Sequence, residues 1–126
     1  MVLRMFNTLT KREEEFVPLD DRKVKMYVCG VTVYDDIHMG HARSIIVFDM
    51  IARYLRYRGY EVTHLTNFTD VDDKIINRAA EMGMDPLALS KMYIERYFQD
   101  IDALGVRRAD AYPKASENIG GIIAMV

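Results

Sequence analysis

Tyr27-Val28-Cys29-Gly30-Val31-Thr32-Val33-Tyr34-Asp35-Asp36-Ile37-His38-Met39-Gly40-His41 is the stretch that decides the fold. It holds the only cysteine of the chain, two of its three histidines and two of its seven glycines. Upstream, Lys23 to Val31 alternates, with Val24, Met26 and Val28 on one side and Lys25, Tyr27 and Cys29 on the other. That period of two predicts a strand. Downstream of Gly40, the residues Ile45, Phe48, Ile51, Ala52 and Leu55 recur at helical spacing and predict a core-facing stripe. The junction of strand and helix is where free backbone N–H groups and the positive end of a helix dipole favour a phosphate.

Working outward, Arg53, Arg56 and Arg58 crowd the last turns of that helix and Gly59 stops it. Tyr60 to Leu65 predicts a second short strand. A long helical crossover between two strands predicts parallel, right-handed pairing, which sets the loop after the first strand at the carboxyl end of the sheet. Thr69-Asp70-Val71-Asp72 has a capping-box pattern with Thr69 as N-cap, followed by a helix to Met82 that ends at Gly83. Asp85-Pro86 opens another helix, marked by Leu87, Ile94, Phe98 and Ile101 and closing at Gly105. Val106 to Ala115 predicts a loop, and Ser116 caps a last helix still running at Val126. The expectation is one domain over residues 1–126, cut within a helix of a longer protein. Its class is α/β, the first half of a Rossmann-like parallel-sheet catalytic domain.

Bulk properties narrow the classes. Half of the 126 residues are apolar, enough for a core. Seventeen basic and 19 acidic residues give a net charge of −2, which advertises neither nucleic-acid nor membrane binding. A single cysteine excludes an internal disulfide and fits a reducing, cytoplasmic setting. Met1 to Glu15 lacks the apolar core of a signal peptide, and no apolar run approaches the ~20 residues of a membrane span.

Several side chains have a bland and a chemical reading. His38 and His41, three apart at a helix start, can be exposed loop residues or can face a polyphosphate and stabilise charge at phosphorus. Cys29 alone reads as a small apolar filler. Thr69 reads as a cap. Asp70, Asp72 and Asp73 lack the spacing of a calcium loop, and the helix dipole accounts for them. Arg53, Arg56 and Arg58 read as a solvated face, and Tyr54, Tyr57, Tyr60, Tyr93 and Tyr97 as packing residues.

The segment from Met26 to Arg43 resembles the first signature of the cysteinyl-tRNA synthetases, with His38-Met39-Gly40-His41 standing for the H-I-G-H of class I aminoacyl-tRNA synthetases. The likeness continues through Phe48-Asp49, Arg53 to Arg56, Asn67 to Ile76 and, more weakly, Asp102 to Pro113. It implies activation of cysteine by ATP, with Mg2+, to cysteinyl-adenylate, then transfer to tRNA(Cys). It also implies that His38 and His41 contact ATP and its transition state, with Gly40 near the adenine. Cys29 becomes one ligand of a zinc ion, the others lying downstream, while Gly30 and Thr69 line the cysteine pocket. By itself the fragment is expected to be inactive. The alternatives are an ATP-dependent cysteine:amino-sugar ligase of mycothiol synthesis, disfavoured by Val33 and Lys74 where that enzyme typically has proline, and a non-catalytic binding module.

Overall fold

Arg4–Asn7 (β1) and Arg12–Glu15 (β2) form an antiparallel hairpin in register from Arg4↔Glu15 to Asn7↔Arg12. The computed structural model describes residues 2–126, leaving Met1 outside. The hairpin is not evident from the sequence. Its turn is held by Asn7, whose carboxamide oxygen accepts from Leu9 N at 3.0 Å, and by Lys11 at φ 58°. Leu3, Met5 and Phe16 carry the hairpin's apolar side onto the body of the chain.

Lys23–Thr32 (β3) and Glu61–Thr69 (β4) pair in parallel, from Lys23↔Glu61 to Thr32↔Thr69, with the helix Met39–Tyr57 (α1) between them. Ala52 and Leu55 of the expected stripe are buried against Val24 and Val62, as the spacing requires. β4 runs four residues past its predicted end at Leu65. Val62, His64, Thr66 and Phe68 are all buried, so the period of two continues to Thr69.

That continuation corrects the capping assignment. Thr69 is the last strand residue and not an N-cap. Asp72 caps the helix Asp73–Met82 (α2), accepting from Lys74 N at 2.8 Å. Gly83 closes α2 at φ 64°, in the left-handed region glycine tolerates. The helix Pro86–Ala103 (α3) starts as expected, with Asp85 accepting from Ala88 N at 3.0 Å. Its buried face is Leu89, Ser90, Tyr93, Tyr97 and Ile101, whereas Leu87 is exposed and Ile94 and Phe98 are only partly covered. Tyr93 and Tyr97 pack inside as predicted. Tyr54 and Tyr57 do not, because they lie on the outer side of α1.

The predicted loop 106–115 is more ordered than a loop. It lies along β4 through parallel bridges Leu65↔Ala111 and Phe68↔Lys114, with Phe68 N donating to Pro113 O at 2.9 Å. Phe68, fully buried, stacks on Tyr112 at 5.2 Å and meets Tyr97 edge-on at 5.0 Å. Ser116 caps nothing. Its N–H, at 2.9 Å, and its hydroxyl both donate to the buried carboxylate of Asp70. A 3₁₀ turn, Ser116–Asn118, and a short helix, Ile119–Met125 (α4), follow. Among the described residues no helix is long and apolar enough to cross a membrane.

Candidate nucleotide and amino-acid site

The β3–β4 register breaks between Val28↔Thr66 and Val31↔Phe68, so Cys29 and Gly30 together oppose Asn67. This is a β-bulge, and it leaves backbone groups that the ladder does not pair. Asn67 supplies the missing partner. Its carboxamide oxygen accepts from Gly30 N at 2.9 Å and from Tyr27 Oη at 2.9 Å, while Nδ2 reaches Thr69 Oγ1 at 3.4 Å. Gly30 is forced by this arrangement, because a Cβ there would sit 1.6 Å from the Asn67 carbonyl oxygen. Gly30 and Thr69, expected in one pocket, are thus joined through a single side chain. The Cys29 thiol is exposed at the bulge.

Past β3 the chain turns into α1, and the two histidines form a reciprocal cap. His38 is the N-cap, and its Nδ1 accepts from Gly40 N at 3.1 Å and His41 N at 3.4 Å. His41 Nδ1 accepts from His38 N at 3.3 Å. The rings stack with centroids 3.8 Å apart and planes 16° from parallel. His38 is exposed ahead of the helix, as the bland reading has it, yet both rings are fixed by the reciprocal cap. The cap also corrects the expectation of free N–H groups here, since those of Gly40 and His41 are taken by an imidazole. With both Nδ1 atoms accepting, each neutral ring carries its proton on Nε2. Burial, and then the neighbouring His38, lowers the pKa of His41 below its ordinary value of 6.5. The pair therefore offers two Nε2–H donors above a helix start that contains no acid. Such donors stabilise negative charge without giving up a proton.

Cys29, Gly30, Gly40 and His41 line one cavity of about 150 Å³ between β3, α1 and the 106–112 segment. His38 and Thr69 are not among its lining residues. His38 joins it only by stacking on His41, and Thr69 lies at the strand end opposite Thr32. Two further lining residues escaped the sequence reading. Asp49 is buried and accepts from Arg53 Nε at 2.9 Å. His64 is 8% exposed, and its Nε2 has no hydrogen-bond partner among the described residues. Burial, then Arg56, lowers its pKa, with Asp110 and Asp49 opposing. The alternation of His64 with Thr66 and Phe68 was the available signal for its inward position.

Arg53 and Arg56 are structural ties as well, although the Arg53 side chain is about half exposed, as a solvated face requires. Arg53 also donates to Gly105 O at 2.8 Å, and Arg56 donates to Val62 O at 3.0 Å and Asp110 at 3.1 Å. The three aspartates have separate tasks, Asp70 in holding Ser116, Asp72 in capping and Asp73 in the first turn of α2. Among the described residues no group of three or more His, Cys, Asp or Glu side chains is placed to hold a metal ion.

Residues 15–126 match the family model for the catalytic domain of class I (C) tRNA synthetases. Curated relatives include a cysteine–tRNA ligase of Syntrophobacter fumaroxidans, 59% identical over the whole chain, and one of Clostridioides difficile, 55% identical over 98% of it. The chain spans about a quarter of the length of these relatives, 26% and 27% respectively. Among solved structures, Mycobacterium tuberculosis methionyl-tRNA synthetase bound by methionyl-adenylate superposes with a TM-score of 0.64 at 26% identity. The match covers 73% of this chain and 18% of that one. With a parallel β3–α1–β4 unit and this match over nearly its whole length, the chain belongs to the class I (C) tRNA synthetase catalytic-domain family.

Proposed function

We propose that a protein carrying this chain activates cysteine with ATP, in the presence of Mg2+, and transfers it to tRNA(Cys) in the cytoplasm. The observation that carries this reading is the identity of 54–59% to proteins named cysteine–tRNA ligase, over 98–100% of this chain. The site chemistry supports it. When the cysteine carboxylate attacks the α-phosphorus, negative charge builds on the phosphoryl oxygens. Fixed Nε2–H donors of His38 and His41, with the α1 dipole behind them, lower that charge's energy without reorganising. A side chain at Gly40 would strike the His38 ring at 2.9 Å, so glycine keeps that imidazole in its capping position, and the resemblance puts the adenine near it.

Gly30 is read as part of the wall of the amino-acid pocket, and Thr69, which does not line the cavity, as joined to it through Asn67. Cys29 is read as one thiolate of a zinc site. Among the described residues no group of three or more His, Cys, Asp or Glu is placed for a metal, whereas a protein zinc site uses three or four ligands, so this reading takes further ligands from outside these 126 residues. A bound zinc favours a thiol over a hydroxyl, a distinction a plain apolar pocket makes poorly. The test is ATP–pyrophosphate exchange by a protein of its relatives' full length that contains this chain. Exchange that depends on cysteine and not on serine supports the reading. Exchange driven equally by other amino acids, or none at all, refutes it.

A further inference from the structure

The segment between β3 and His38 has almost no structure of its own. Its one local side-chain bond is Asp36 N to Asp35 Oδ1 at 2.9 Å. It is instead fastened from outside. Val33, 2% exposed, sits in the core with Phe68 and Ile75, and its N–H donates to Thr69 O at 3.2 Å. The Tyr34 ring lies 5.6 Å from Lys74 Nζ of α2. Both carboxylate oxygens of Asp36 accept from Arg96 Nη1 of α3, at 3.1 and 3.0 Å. Arg96 is steadied by the buried Tyr93 ring, 5.4 Å from its guanidinium carbon.

Asp36 is two residues before the N-cap. The Arg96–Asp36 pair is thus the last polar side-chain tie before the stacked imidazoles. From there the chain reaches His38 through Ile37, which leans on the same core. A helix start displaced by an ångström misplaces donors that must meet developing charge. We propose that Arg96 is a positioning residue for the His38–His41 pair. It acts through Asp36, 60 residues away in sequence, and does not line the cavity. The catalytic part of this inference rests on the function proposed above, and its structural part does not.

Both side chains are about half exposed, so the pair adds little to global stability. The expected signature is local. In the 126-residue chain, Arg96→Ala should speed hydrogen exchange of the Gly40 and His41 amides by about two- to fivefold, with the amides of β4 unchanged. In the full-length protein it should lower kcat for ATP–pyrophosphate exchange by a similar factor, leaving KM for cysteine in place. Exchanging the charges, Asp36→Arg with Arg96→Asp, should restore both readouts. Unchanged Gly40 and His41 exchange in Arg96→Ala overturns the inference, and so does a kcat loss the charge exchange does not repair. Absence of cysteine-dependent activity in the unmutated protein sinks the proposed function, while the amide readout still decides on the clamp.

Discussion

Gly30→Ala places one methyl group where the structure has no room. Its carbon would lie 1.6 Å from the Asn67 carbonyl oxygen and 2.7 Å from that carbonyl carbon. Ordinary non-bonded separation is about 3.5 Å, so β3 and β4 must part by roughly 2 Å where strands normally sit about 4.8 Å apart. The obstacle is backbone, so rotamer changes give no relief. Parting the strands strains the 2.9 Å bond from Gly30 N to Asn67 and the 3.2 Å bond from Val33 N to Thr69 O. Overpacking costs about 1–3 kcal/mol, and two weakened hydrogen bonds add about 1 kcal/mol each. The expected loss is about 3 kcal/mol or more, a large share of the stability of a domain this size. Urea unfolding followed by circular dichroism measures it. Gly120→Ala serves as control, because nothing lies within 4 Å of that position and a helical alanine is favoured over glycine. If Gly30→Ala unfolds within about 1 kcal/mol of the parent, glycine is not needed for the strand approach and the reasoning fails.

Other expectations follow from single contacts. Asp70→Ala strands the Ser116 N–H and hydroxyl, and should cost about 2 kcal/mol in the same unfolding assay; a neutral result would remove Asp70 as the anchor of Ser116. The pKa values of His41 and His64 are both lowered in the folded chain, so the unfolded chain binds protons more readily. Stability from these neutral rings is fully present above their ordinary 6.5 and falls as pH drops below it. Thermal midpoints across that range should fall less in His41→Gln than in the parent, and equal slopes would contradict the lowered pKa of His41. The 126-residue chain should keep no stoichiometric zinc after dialysis against a weak chelator, since Cys29 is one donor; retained zinc would reveal ligands the structure does not bring together.

Much of this molecule is written locally. The alternation from Lys23 and the stripe ending at Leu55 specify strand and helix, and a helical crossover leaves parallel pairing as the economical outcome. Asp85-Pro86 and Gly83 mark helix ends because capping is a matter of adjacent residues. The errors came where two local signals overlap. Thr69 suits both a strand end and a cap, and burial of Thr66 and Phe68 decided for the strand. The β1–β2 hairpin was missed because Arg12-Glu13-Glu14-Glu15 has no apolar alternation and depends on its turn and on Leu3, Met5 and Phe16. At the candidate site, His38 and His41 were legible as a pair, but their role as mutual caps needed ring geometry. Asn67 and Arg96 could not be assigned roles by period or motif. Their partners, Gly30 and Asp36, stand 37 and 60 residues away, and only the folded chain brings them together.

The central claim is that the stacked imidazoles stabilise charge at phosphorus. The most direct measurement is cysteine-dependent ATP–pyrophosphate exchange by the full-length protein, unmutated and with His41→Ala, with circular dichroism showing that both are folded. Losing one preorganised donor should lower the rate by about 10²–10³. A His41→Ala protein that is folded and exchanges at nearly the unmutated rate would contradict the account.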